Sequence, residues 1–263
     1  MLVTPLASTV SDNWFYAIED AGDLLLIDPI DPAVAIAHVR KRAPKRVRIL
    51  NTHGHPDHVG GNDAVVDELQ CEVIASKHPD IFDPPAQQHV GEGDTVQVGD
   101  TTWKVLHAPG HTMGHIVLHH PGALICGDVY FVGGIGNCRF GGDPATLHET
   151  VSSRLASLPD DTRIYPGHDY AIRNLEFCLE VEPQNARAAA YMEKAKQHHG
   201  DDPRRAPFLT TLGEERSYNP FHRVKDTALQ ATLAKNLAPQ WPSDDEDTAR
   251  AAFKALRSAR DAF

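Results

Sequence analysis

Four side chains of metal-ligand type, His53, His55, Asp57 and His58, fall within six consecutive residues of this chain. They follow directly on Arg46–Asn51, a β-branched and apolar run that reads as a strand. In extended backbone, residues two apart point the same way, so His53 and His55 can converge on one ion. Asp57 and His58 lie one step further, where the chain turns, and can face a second. Gly60-Gly61 lets the backbone turn tightly behind the cluster. Imidazole together with carboxylate suits zinc, iron or manganese.

Three later positions have the same character. His111 closes Ala108-Pro109-Gly110-His111, Asp128 closes Cys126-Gly127-Asp128, and His168 closes Tyr165-Pro166-Gly167-His168. Each is a ligand-type residue beside a glycine at the carboxyl end of an apolar run, which is how a sheet presents donors along one edge. The 16 histidines against 6 tyrosines also point to metal or acid–base chemistry.

The first two thirds of the chain alternate strand-like and helix-like segments. Asp31-Pro32 and Asp143-Pro144 are N-cap signals with proline at the first helical position. Short strands are expected at 22–28, 46–51, 71–75, 95–98, 102–106, 116–119, 124–126 and 162–165. After Tyr170 helical patterns take over, at 174–182, 185–198, 225–237 and from Ser243 to the end, where Ser243 with Glu246 makes a capping box. The texture change places a boundary near residue 172.

Hydrophobic residues are 41% and charged residues 23%, ordinary globular usage. The net charge of −11 makes a phosphate-backbone partner unattractive, because that affinity rests on Lys and Arg. No apolar run, Leu24–Ile27 included, approaches the roughly 20 residues that span a bilayer. Met1–Ser11 carries no basic residue and no long apolar core, so it does not read as a secretory signal. The four cysteines form no CxxC pair. No nucleic-acid partner, no membrane association and a reducing, cytoplasmic location are expected.

The donor set resembles the metallo-β-lactamase superfamily over about residues 10 to 170. That resemblance implies an α/β fold, a four-layered α/β/β/α sandwich, followed by a C-terminal helical domain. It divides the chain into a catalytic domain, 1–172, and an α-helical substrate-binding domain, 173–263. It implies two divalent metal ions, zinc foremost, with iron or manganese as alternatives. His53, His55 and His111 would hold one, Asp57, His58 and His168 the other, and Asp128 would bridge both. Asp57 and His58 would stand at the catalytic water, as ligands rather than general bases. His115 would be structural, and His119 and His120 exposed.

A second resemblance covers the remainder. Gly167–Tyr170, Asn174–Phe177, Val181–Asn185, Thr210–Glu215, Tyr218–Arg223 and Leu256–Phe263 are similar, in this order, to the hydroxyacylglutathione hydrolase (glyoxalase II) family. The family implies cleavage of S-(R)-lactoylglutathione, or a similar 2-hydroxyacyl glutathione thioester, by attack of a metal-bridging hydroxide. A small-molecule glutathione conjugate would be the partner. By the family pattern, Arg223 would grip a substrate carboxylate, Tyr170 would hydrogen-bond the peptide portion, and Lys225 would add a cation. The chain departs from the family at Gly134–Gly142, where Asn137 stands in place of a basic residue and Arg139 is the candidate substitute. A mononuclear iron persulfide dioxygenase, or a metallo-hydrolase of another ester or lactone, is the alternative.

Overall fold

The computed structural model describes residues 1–202, 204–238, 241 and 247–263. The first half builds strands β1 (Leu2–Ala7), β2 (Trp14–Asp20), β3 (Asp23–Ile27), β4 (Arg46–Leu50), β5 (Glu72–Ser76) and β6 (Gln88–Val90), with helices α1 (Pro32–Arg42), α2 (Pro56–Val59) and α3 (Asn62–Leu69) between them. The second half builds β7 (Thr95–Val98), β8 (Thr101–His107), β9 (Ile116–His120), β10 (Ala123–Gly127), a short hairpin of β11 (Tyr130–Phe131) and β12 (Gly134–Ile135), α4 (Pro144–Glu149) and β13 (Arg163–Pro166). Helices α5 (Ala171–Val181), α6 (Ala186–His199), α7 (Leu212–Tyr218), α8 (Thr227–Asn236) and α9 (Thr248–Ala262) complete it.

Two sheets result. One is ordered β1-β2-β3-β4-β5-β6 and the other β13-β10-β9-β8-β7. The period of two along their strands sorts the core into three layers. In β2 and β3, Phe15, Ala17, Leu24 and Leu26 face Ala35, Val39 and Val65 of the outer helices. The alternate residues Trp14, Tyr16, Ile18, Leu25 and Ile27 face the second sheet through Val96, Trp103, Val105 and Ile125. That sheet's outer face, Leu124, Cys126 and Ile164, packs against Leu147, Leu175, Phe253 and Leu256. This is the four-layered α/β/β/α sandwich, and the C-terminal helices share its third core layer.

Asp31 and Asp143 cap α1 and α4 as expected, accepting from Val34 N at 3.2 Å and Thr146 N at 2.7 Å. Strands β1 and β2 and helix α7 are not among the expected elements, although Trp14–Ile18 is an apolar, aromatic-rich run and Thr211 with Glu214 forms the capping box that opens α7. Helix α5 begins at Ala171, three residues before the expected Asn174. Helix α9 is capped by Asp247, and the expected Ser243–Glu246 box lies outside the described residues. His119 and His120 are half-buried rather than exposed, His120 lying over the Trp103 ring. No helix among the described residues is long and apolar enough to cross a membrane.

Candidate metal centre

The donors come from segments that each end a strand. His53 and His55 follow β4 through Gly54, where a side chain would meet the Phe82 carbonyl at 2.0 Å. His55 is the N-cap of α2, so Pro56, Asp57 and His58 form the first turn behind it. Asp128 follows β10 after Gly127, whose φ of +47° favours glycine. His168 follows β13 after Gly167, where a Cβ would stand 2.4 Å from Asp128 Oδ1.

Ring nitrogens of the first group converge. His55 Nδ1 lies 3.1 Å from His53 Nε2 and 3.0 Å from His111 Nε2. In the second group, His168 Nε2 is 3.4 Å and His58 Nε2 3.8 Å from Asp57 Oδ2. Asp128 stands between the groups. Its Oδ1 is 3.5 Å from His58 Nε2, and its Oδ2 is 3.6 Å from His111 Nε2 and 3.5 Å from His168 Nε2.

Outer partners fix which atoms face inward. His111 Nδ1 approaches the Asn137 carbonyl at 2.7 Å, and His55 Nε2 the Phe140 carbonyl at 3.0 Å. Asp28 Oδ2 takes His58 Nδ1 at 2.9 Å, and Asp12 Oδ1 takes His168 Nδ1 at 3.2 Å. The Asp128 N–H donates to His115 Nε2 at 3.2 Å, so His115 is buried support behind the centre. Asn13 Nδ2 lies 3.2 Å from both Asp57 Oδ2 and His168 Nε2. A further close trio, Asp28, His53 and His58, is not an independent site. Both Asp28 oxygens are already committed to the Thr52 N–H and hydroxyl and to His58.

Electrostatically the centre has two halves. Burial, with the neighbouring imidazoles, drives His53 well below its ordinary value. Burial also brings His111 down to about 4 despite Asp128. On the other side burial opposes protonation, but Asp128 and Asp28 hold His58 well above its ordinary value. Asp128, Asp12 and Asp57 likewise raise His168 to about 9. Burial would raise Asp57 and Asp128, yet His168 and His58 keep both carboxylates ionised.

These residues fit metal ions. Burial keeps His53 and His111 neutral and both carboxylates are ionised, which are the ligating forms, while the carboxylates that hold a proton on His58 and His168 would equally favour a metal cation in that proton's place. Two buried atoms facing each other across the centre, His58 Nε2 and Asp128 Oδ1, have no hydrogen-bond partner. A buried polar atom left unpaired costs about 1–3 kcal/mol, and a cation between the two would remove that cost. His53–His55–His111 and Asp57–His58–His168 each bring their ligand atoms within 4.8 Å of one another. The arrangement is that of a dinuclear centre.

One cavity opens on it, and a second adjoins the first. The larger, about 850 Å³, has His55, Asp57, His111, Asp128 and His168 in its wall. The other, about 340 Å³, is lined by Arg139, Arg173, Arg257 and Arg260. They run together through Asp12, Phe131, Asn137, Phe140 and Tyr170.

Among the residues expected to touch substrate, Tyr170, Asn137 and Arg139 therefore line this space. Arg223 and Lys225 line neither cavity. Arg223 instead forms a two-pronged pair with Glu182, at 2.8 Å and 3.2 Å, with Asp226 at 3.4 Å. Its fork is already filled by a protein carboxylate. The cations actually at the cavity, Arg173 on α5 and Arg257 and Arg260 on α9, lie in or next to segments matched by the family resemblance. Their spacing on amphipathic helices was the available signal.

A sandwich of this kind, with two donor groups along one edge, defines a metallo-β-lactamase-type metalloprotein. The metallo-beta-lactamase superfamily model matches residues 9–168, and the hydroxyacylglutathione hydrolase C-terminus model matches residues 169–263. Hydroxyacylglutathione hydrolase of Nitrosococcus oceani is 37% identical over 94% of this chain and 93% of its own. That of Polaromonas sp. is 38% identical, with the same coverage. Among solved structures, TTHA1623 in a di-iron-bound form is similar at a TM-score of 0.61 and 27% identity, covering 83% of this chain and 99% of that one. ETHE1 from Myxococcus xanthus, at a TM-score of 0.66 and 24% identity over 98% of this chain and 99% of that one, shares the fold. The chain belongs to the hydroxyacylglutathione hydrolase family of the metallo-β-lactamase superfamily.

Proposed function

We propose that this protein is a metal-dependent hydrolase of glutathione thioesters, converting S-(R)-lactoylglutathione or a similar 2-hydroxyacyl conjugate to a 2-hydroxy acid and glutathione. The observation that carries this reading is the continuity of the donor-lined cavity with the arginine-lined one. An anionic thiol carrier needs a cationic seat beside the reacting centre, and a chain of net charge −11 has one there.

His53, His55 and His111 would hold one ion, and Asp57, His58 and His168 the other, with Asp128 shared between them. Zinc is the first choice for this donor set, with iron and manganese alternatives. When bound, such ions supply Lewis acidity, which lowers the pKa of water and polarises a carbonyl. The chain's own groups do the rest. Asp28, Asp12 and the carbonyls of Asn137 and Phe140 hold the rings in orientation. Arg260 donates to Asn174 Oδ1 at 3.1 Å and 3.0 Å, and neither it nor Arg173 pairs with a carboxylate among the described residues. Both are available to a substrate carboxylate. Arg257 is committed to the Ile135 carbonyl and Asp261, so it sets the floor rather than the grip. Tyr170, stacked on His168, faces the peptide portion. Water adds its oxygen to the carbonyl carbon, the C–S bond breaks, and acid and thiol leave. A thiolate of pKa about 8.5 departs without a dedicated general acid.

The division near residue 172 separates the metal donors from most of the arginine seat. A mononuclear dioxygenase would leave Asp57, His58 and His168 without ligand work. The four free cysteines, three of them buried, fit a reducing compartment, and we place the protein in the cytoplasm. The test is elemental analysis of purified protein beside a thioester hydrolysis assay. About two ions per chain with turnover are expected, and both should fall in His55→Ala. Protein carrying two ions that leaves the thioester intact overturns the reading.

A further inference from the structure

We infer that the acyl end of the site is built for a large apolar acyl group rather than for lactoyl, an inference that rests on the thioesterase reading. The joined cavity has two chemically different ends. The arginines lie at one, and the metal donors lie at the middle. Away from the arginine cavity stand Ile81 and Phe82, which line only the donor cavity, with Gly141 beside them, while Phe140 lies where the two cavities meet. A thioester whose carbonyl sits at the donors and whose thiol portion reaches the arginines has only this end left for its acyl chain.

The apolar end is a formed wall. Ile81 and Phe82 are 41% and 53% exposed on the rim of the donor cavity, and Phe140, 65% exposed, continues the apolar surface to the junction with the arginine cavity. Apolar groups gathered this way mark binding surfaces, because each alone costs hydration. Asp80 fastens their loop to the donor segments. Its Oδ2 accepts from the Gly54 N–H at 3.0 Å, between His53 and His55, and from the Thr112 hydroxyl at 2.7 Å, next to His111. Its Oδ1 accepts from the Ile81 N–H at 2.9 Å. Any side chain at Gly54 would strike the Phe82 carbonyl, and one at Gly141 would meet Ile81 Cδ1 at 2.5 Å. The wall is therefore packed directly on the metal motif and on the Phe140–Gly141 turn. A lactoyl group offers this wall one methyl, whereas a phenyl or branched alkyl group covers it.

The experiment compares kcat/KM for S-lactoylglutathione with that for the analogue in which phenyl replaces the lactoyl methyl. Both keep the same 2-hydroxyacyl head and the same thiol. The expected ratio of phenyl to lactoyl is about ten-fold, the scale of pocket discrimination by apolar groups. In Phe82→Ser and in Ile81→Ser that ratio should fall toward about one, the discrimination lost with the wall. These positions are on the surface, and metal content per chain checks that the centre is intact. A wild-type ratio at or below one overturns the inference, as does a ratio that survives both substitutions. Failure of two-ion protein to cleave either thioester overturns the thioesterase reading itself, and the acyl inference with it.

Discussion

Asp28 Oδ2 lies 2.9 Å from His58 Nδ1, and this pair leaves His58 Nε2 as the atom that faces the centre. Asp28 has a φ of +52°, a conformation a short polar residue tolerates at some cost. It is held there by the Thr52 N–H at 2.8 Å and the Thr52 hydroxyl at 2.6 Å. Asp28→Asn keeps the size but turns an amide NH2 toward donors. Such an outer partner typically changes metal affinity by about 10- to 100-fold. We expect a loss of that size at the Asp57–His58–His168 group, read by competition with a chelator of known affinity. Unchanged affinity would show that His58 needs no carboxylate behind it.

Arg204, in the connection between α6 and α7, reaches the segment that carries Asp12 and Asn13. It donates to the carbonyls of Asp12 at 2.9 Å, Ser8 at 2.5 Å and Asn13 at 3.3 Å, and lies over the Trp14 ring at 5.2 Å. Hydrogen bonds from a charged group contribute about 1.5–3 kcal/mol. Arg204→Ala should cost about that much, several degrees in Tm at this chain length. The deficit should be larger with metal bound, since Asn13 touches both Asp57 and His168. Arg204→Lys should recover little, because a point charge cannot serve a fan of carbonyls. Calorimetry with and without metal checks this, and equal deficits in the two states would confine Arg204 to ordinary loop packing.

What could be read before the structure follows from where the information lies. The HxHxDH donors sit in one loop and the other three beside glycines at strand ends, so local rules reach them. Trp14–Ile18 escaped because it is buried on both faces and shows no alternation, as central strands do. The substrate role expected of Arg223 rests on the family pattern alone. Its partner, Glu182, is 41 residues away, and no local pattern announces it. At Asn137 the backbone carbonyl, not the side chain, orients His111, a contribution that residue identity hardly affects. The departure from the family pattern at that position is thus compatible with an intact centre.

The two arginines make opposite expectations. Arg260 lines the cavity and pairs with no carboxylate among the described residues, so Arg260→Ala should raise KM about ten-fold with kcat little changed, the signature of lost uniform binding. Arg223 and Glu182 form a half-buried pair, so Arg223→Ala should leave KM alone and cost about 2 kcal/mol of stability. Steady-state kinetics beside urea unfolding separates the two. A KM effect confined to Arg223→Ala would restore the carboxylate grip to that residue and remove it from Arg260.

Glu215 makes a pH prediction away from the metal donors. It is fully buried with no cation paired to it among the described residues, and burial raises its carboxyl to about 7 from an ordinary 4.5, against the opposing pull of Tyr218, Thr210, Asn219 and the Gly133 N–H. Oε1 accepts from the Thr210 hydroxyl at 2.7 Å and from the Tyr218 hydroxyl, and Oε2 from Gly133 N at 3.0 Å and Asn219 Nδ2 at 2.9 Å. Because the folded value lies above the unfolded one, the folded state binds the proton more tightly. The stabilisation is fully present below about 4.5 and is lost as pH rises through about 7. The loss totals about 3 kcal/mol, of which about 2 kcal/mol falls between pH 5.5 and 8.5. Glu215→Gln can point its NH2 at the two hydroxyls, which are able to accept, and keep its carbonyl for Gly133 and Asn219. Its stability relative to the parent should therefore rise by about 2 kcal/mol over that interval. Urea unfolding at both pH values measures the difference, and parallel pH profiles would mean that Glu215 is ionised in the folded protein throughout.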